Sequence, residues 1–154
     1  MLLCIVQSSS KTKIFGEKEN LMTDLRANPA QWTISEELRE IIGEAIREKS
    51  GACIISFKDP GYCVEKGGFH PVEILVSGNG EILYITDFAL TGLEPYAELI
   101  KEIDFDFGCG AFQHCGREHA ISEGRGLFRS WMDNFVIYHR MGVYEMTVAE
   151  IVEG

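Results

Sequence analysis

The chain has no apolar run long enough to cross a bilayer. Met1 to Val6 is too short for a signal-peptide core and has no basic leader, so residence in the cytoplasm is the expectation. There is also no surplus of positive charge. With 24 acidic against 14 basic residues the net charge is −10, a field that repels phosphates and anionic lipids, so neither nucleic acid nor membrane is expected as a partner. The sequence shows no P-loop, dinucleotide fingerprint, serine nucleophile elbow or kinase signature, and no internal repeat or low-complexity tract. Five cysteines, an odd number in a chain without an export signal, argue for reduced thiols rather than a disulfide framework.

What remains is an ordinary globular composition, 45% hydrophobic and 25% charged over 154 residues, enough for one core. Residues 1–33 read as an N-terminal extension, docked through Trp32, and residues 34–154 as a single domain. The centre is the most legible part. Ala52 to Phe57 is an apolar run stopped by Asp59-Pro60-Gly61, placed as a type II turn requires. Pro71 to Ser77 and Glu81 to Phe88 flank Gly78-Asn79-Gly80, and a two-residue Asn79-Gly80 turn would pair Val76 with Leu83, Ile74 with Ile85, Leu75 with Tyr84 and Glu73 with Thr86. That register gathers Val72, Ile74, Val76, Leu83 and Ile85 on one aliphatic face, which needs a cover. Leu38, Ile41, Ile42, Ala45 and Ile46 supply it as a helical stripe, with Ser35 as N-cap and Gly51 as a stop.

Further on, Pro95 to Ile103 reads as a short helix, and Asp104-Phe105-Asp106-Phe107 alternates with both aspartates on one side. Ala111 to His114 reads as a strand and Gly116 to Gly124 as a polar connection. Leu127, Phe128, Trp131, Phe135 and Tyr138 fall on one side of a helix, and Val143 to Ile151 closes as a strand. The expected fold is α+β: a twisted antiparallel sheet covered by an N-terminal amphipathic helix and a C-terminal aromatic-rich helix.

Nearly all the excess negative charge lies after residue 50, with Glu81, Asp87, Glu94, Glu98, Glu102, Asp104 and Asp106 set against Lys101 alone in one stretch. Two carboxylates two apart on a strand face repel each other, so a cation or basic side chain would stabilise Asp104 and Asp106. Asp87, Glu102, Asp104 and Asp106 are the candidate binding carboxylates, and His70, delivered to a strand start by Gly67-Gly68 and held extended by Pro71, is a further candidate binding residue. The charge admits a basic protein partner, the apolar residues on both hairpin faces admit a homo-oligomer, and a solvated, solubilising face is the plain alternative. No catalytic residue, cofactor or metal is assigned. Cys109, His114, Cys115 and His119 lack the two-pair spacing of a structural zinc site, and Asp104-x-Asp106-x-Gly108 lacks a calcium loop's third ligand. A metal or thiol enzyme using His70, Cys63 or the Cys109 to His119 cluster is the alternative function. Arg125 and Arg129 more simply pair with carboxylates than hold an anion.

Phe57-Lys58-Asp59-Pro60-Gly61-Tyr62, Gly67-Gly68-Phe69-His70-Pro71-Val72-Glu73-Ile74 and Tyr84-Ile85-Thr86-Asp87-Phe88 resemble a bacterial family of uncharacterised proteins (domain-of-unknown-function family 2787), known from Vibrio and carried partly on genomic islands. Leu99 to Phe107, Trp131, Asn134-Phe135 and Met141 to Tyr144 are similar to the same family, so the resemblance spans about residues 35 to 150. It brings no established catalytic or metal residues. It implies a fold like that of the acidic mitochondrial matrix protein that binds complement globular heads, whose relatives are antiparallel sheets with flanking helices, assembled as acidic trimers.

Overall fold

A computed structural model describes residues 25–27 and 32–152. The order of elements is β1 (Arg26–Ala27), α1 (Glu36–Ile46), β2 (Cys53–Lys58), β3 (Val72–Val76), β4 (Glu81–Thr91), β5 (Glu98–Asp106), β6 (Ala111–His114), β7 (Arg117–Ala120), a 3₁₀ turn (Ile121–Gly124), α2 (Arg125–Arg140) and β8 (Glu145–Glu150). The sheet runs β7-β6-β5-β4-β3-β2-β8, antiparallel throughout, with β1 adding a short parallel pairing to the start of β4. The fold is thus the α+β arrangement expected. Helix α2 connects β7 at one edge to β8 at the other, which carries its aromatic side across the sheet.

Both helices cover one face. Leu38 and Ile42 of α1 and Phe128, Trp131 and Phe135 of α2 pack with Ile55, Phe57, Ile74, Ile85 and Phe105 in one buried core, joined by Leu25, Ala27 and Trp32. Trp32 lies against Phe105, Phe107 and Phe128, with ring centroids 5.1–6.3 Å apart. Removing a buried aliphatic side chain such as Ile42 from water contributes about 1.5–3 kcal/mol. Ser35 caps α1 as expected, its hydroxyl accepting the Leu38 N–H at 3.2 Å.

Four local expectations are corrected. At the β3–β4 turn, Ser77 O accepts the Gly80 N–H and Gly80 takes φ +83°, while Asn79 stays out of the left-handed region. The central residues are therefore Gly78 and Asn79, with Gly80 as a glycine bulge. Val76 consequently faces Ile82 rather than Leu83, while Ile74 with Ile85, Leu75 with Tyr84 and Glu73 with Thr86 pair as expected. Ile82, not Leu83, completes the buried aliphatic set.

Residues 95–103 do not form a helix: β5 starts at Glu98 and pairs with a β4 that continues to Thr91. The run is short, and the ladder offered by β4 outweighs its weak helical spacing. The connection 116–124 contains β7 and the 3₁₀ turn, because Cys115-Gly116 reverses the chain with φ +49° and +78°. At Asp59-Pro60-Gly61 the turn forms, Asp59 O accepting the Tyr62 N–H, but Gly61 lacks the positive φ of type II and instead donates its N–H to Asp59 Oδ1.

Candidate functional site

The site follows from sheet register. Val72 faces Asp87 and Asp87 faces Ile103, so Asp87 stands in a row that otherwise feeds the helix-covered core. A carboxylate so placed must find donors. Its Oδ2 accepts the indole N–H of Trp131 at 3.1 Å, and its Oδ1 lies 2.9 Å from His70 Nδ1. Burial pushes the Asp87 carboxyl above its ordinary pKa and Glu102 adds to the rise, against the lowering influence of His70 and Trp131.

Glu102 joins them through a bulge. Asp87 pairs with Ile103 and Phe88 with Lys101, leaving Glu102 the extra residue on β5. In an unbroken strand it would share the face of Asp104; the bulge re-aims it, and its Oε2 lies 2.8 Å from the same His70 Nδ1. With two carboxylate oxygens as neighbours, Nδ1 carries the imidazole proton. His70 itself is delivered by a tightly held loop. Asp59 Oδ2 accepts the Phe69 N–H at 2.9 Å, Phe88 donates its N–H to Pro71 O at 2.9 Å, and the Tyr62 ring lies 5.4 Å from the imidazole. Gly68, at φ +135°, lies so close beneath this loop that a Cβ would stand 2.8 Å from Asp59 Oδ2 and 3.0 Å from Tyr62 Cα.

Beside the cluster a cleft of about 360 Å³ opens between the sheet and α2, lined by Phe69, Trp131, Asn134, Phe135, Tyr138 and Tyr144 among others. Burial first, and then the nearby Asp87, push the Tyr144 phenol upward, so it stays a neutral hydroxyl. The side chains of His70 and Glu102 are about one-third exposed (36% and 35%) and Asp87 is 15% exposed, so the charged group opens to solvent at the cleft's mouth.

Of the five candidate binding residues, the structure unites His70, Asp87 and Glu102. Asp104 is buried, accepting the Thr86 hydroxyl at 2.6 Å and pairing with Lys101 Nζ at 3.2 Å. Asp106 accepts the Cys109 N–H at 2.9 Å in the turn after β5. The basic side chain that Asp104 needs thus comes from the chain itself. The Cys109 to His119 residues do not form a joint cluster among the described residues: Cys109 and Cys115 are exposed, and His119 stacks on Phe112 and lies 3.7 Å from Glu123. Asp106 pushes the Cys109 thiol up, the opposite of nucleophile activation. Trp131, read from the sequence as core only, is also a donor to the site. A signal for the cluster did exist: with Ile74 and Ile85 facing the core, the two-residue period puts His70 and Asp87 on that same side.

Among the described residues no helix is long and apolar enough to cross a membrane. No functionally curated protein matches the chain. A solved structure of a hypothetical protein from the Vibrio cholerae VSP-II pathogenicity island is similar, with 32% identity and a TM-score of 0.65 over 77% of this chain and 99% of that one. A conserved hypothetical protein from pathogenicity island VPI-2 of Vibrio cholerae O1 biovar eltor matches at 30% identity and a TM-score of 0.66, over 77% of this chain and 95% of its own, and is described as sharing structural homology with the human P32 protein. The family model for Protein of unknown function (DUF2787) matches residues 32–149, and the chain belongs to that family.

Proposed function

We propose that the chain is a non-enzymatic, acidic protein-binding module that receives a basic side chain of its partner at the mouth of the cleft between sheet and α2. The observation that carries this reading is the meeting of Asp87 and Glu102 at His70, beside aromatic walls. A guanidinium offers several donors to paired carboxylates and stacks favourably on aromatic faces, so arginine fits both halves of the site. The carboxylates at work are Asp87 and Glu102; Asp104 and Asp106 serve the fold. Binding weakens as salt rises, because part of the attraction acts between solvent-exposed charges. The partner is a cytoplasmic protein with an exposed arginine-rich segment.

The test is fluorescence anisotropy with a labelled arginine-rich peptide at low salt. Glu102→Gln weakens capture at least fivefold and Asp106→Asn leaves it unchanged. Equal capture by wild type and Glu102→Gln sinks the proposal.

A second reading, self-association, is favoured by the β4–β5 ribbon. β3 pairs with β4 only as far as Asp87 and β6 meets β5 only from Ile103 onward, so the ribbon's far end runs free of both neighbours. Leu93, Tyr96, Leu99 and Ile100 are exposed on it. Light scattering across a dilution series tests this, a monomer at every concentration counting against it.

A further inference from the structure

We infer that His70 Nδ1, Asp87 Oδ1 and Glu102 Oε2 form a binding site for a divalent metal ion of the zinc class. The three ligand-bearing groups lie within 4.8 Å of one another, with Nδ1 2.9 Å from Asp87 Oδ1 and 2.8 Å from Glu102 Oε2. Metal–ligand bonds of about 2.0–2.2 Å set ligand atoms roughly 3–3.5 Å apart, so an ion needs the nitrogen to part from each oxygen by only a few tenths of an ångström.

The arrangement is more than a crowd of acids, because each ligand comes from a different segment and each segment is held by its own hydrogen bonds. Asp87 has its second oxygen on the Trp131 N–H, an outer-shell bond that fixes the carboxylate's rotation. Glu102 stands at the β-bulge, where its carbonyl accepts the Cys115 N–H at 2.9 Å. His70 sits between the Phe69 N–H held by Asp59 and the Pro71 carbonyl held by Phe88. Nδ1 now hydrogen-bonds through its proton to Asp87, with Glu102 Oε2 held against the same nitrogen. A metal ion replaces that proton, which leaves to solvent, and bonds the nitrogen and both oxygens at once. The partly exposed His70 and Glu102 leave room for water in the remaining positions. One imidazole nitrogen with two carboxylate oxygens favours a first-row ion such as zinc over magnesium or calcium, which prefer all-oxygen shells.

The inference goes beyond the proposed protein-binding role and stands without it, since the metal titration involves no peptide. Untagged full-length protein is titrated with zinc chloride by calorimetry, and cobalt(II) absorption reports the ligand set. Wild type binds one zinc ion, Glu102→Gln and His70→Asn each weaken it at least tenfold with unchanged circular dichroism, and Cys109→Ser with Cys115→Ser has no effect. Magnesium does not compete. Absence of saturable one-to-one zinc binding overturns the inference, as does loss of binding in the cysteine variant with full binding in Glu102→Gln, which would place the ion on the exposed thiols.

Discussion

Glu102 and Asp104 are neighbours but one on a single strand, and their carboxylates meet opposite fates. Asp104 faces the side of the sheet away from the helices, in a row with Glu73, Thr86 and Gln113, and is saturated by Thr86 and Lys101. Glu102, turned by the bulge, joins a second carboxylate across one imidazole at the edge of an aromatic cleft. Negative charge alone therefore says little about availability. A carboxylate matched with donors by its own chain is part of the fold, whereas one placed beside another carboxylate favours an added positive charge.

The strongest way to break this contrast is to remove the donor beneath Asp104. Thr86→Val keeps the shape and leaves a buried carboxylate oxygen without its hydroxyl, so the expected cost is about 1–3 kcal/mol in urea unfolding, with peptide capture intact in the folded protein. A loss of capture without a loss of stability would assign Asp104 to the binding site.

Next in size is Trp131→Phe, which preserves most of the aromatic packing and deletes the N–H that holds Asp87 Oδ2. The expected cost is about 1–2 kcal/mol, and zinc and peptide binding both weaken because the carboxylate is free to turn. If binding is untouched while stability falls, the indole serves packing alone. Glu102→Gln gives the converse result: stability within about 0.5 kcal/mol of wild type, by denaturant midpoint, and impaired binding.

These contrasts also mark how far the sequence could be read. The hairpin register from Glu73 to Leu75 was legible because the turn position limits the pairing and a one-residue slip would turn Ile74 or Ile85 out of the core. The aromatic helix was legible because Phe128, Trp131 and Phe135 recur at helical spacing. The site was half legible: His70, Asp87 and Glu102 are all candidates from the sequence, and the two-residue period places the first two on the core side. Asp104 and Asp106 share their charge with Asp87 but face the opposite side of the sheet, which a charge count does not distinguish. The meeting of Glu102 with them depends on a bulge, which leaves no trace in a hydrophobic pattern, and the first part of β5 is hidden because Leu99 and Ile103 fit a helical spacing as well as a strand.

A third carboxylate sharpens the comparison at its smallest scale. Glu150 is partly exposed like Glu102 yet saturated like Asp104: its Oε1 accepts the N–H groups of Gly51 at 2.8 Å and Ser50 at 3.0 Å and the Ser50 hydroxyl at 3.1 Å, tying β8 to the start of β2. The Gly51 N–H first, then the Ser50 N–H and hydroxyl, hold its carboxyl below the ordinary value of 4.5. A carboxyl depressed in the folded state binds fewer protons there than in the unfolded chain, so the stability it adds is present above 4.5 and is lost as pH falls through the lower folded value. Glu150→Gln keeps an acceptor oxygen and removes the titration, so unfolding midpoints of wild type and variant converge on acidification below pH 4.5 and separate, wild type higher, toward neutrality. Parallel profiles across that window would mean that exposure, not donor supply, decides whether a carboxylate here belongs to the fold.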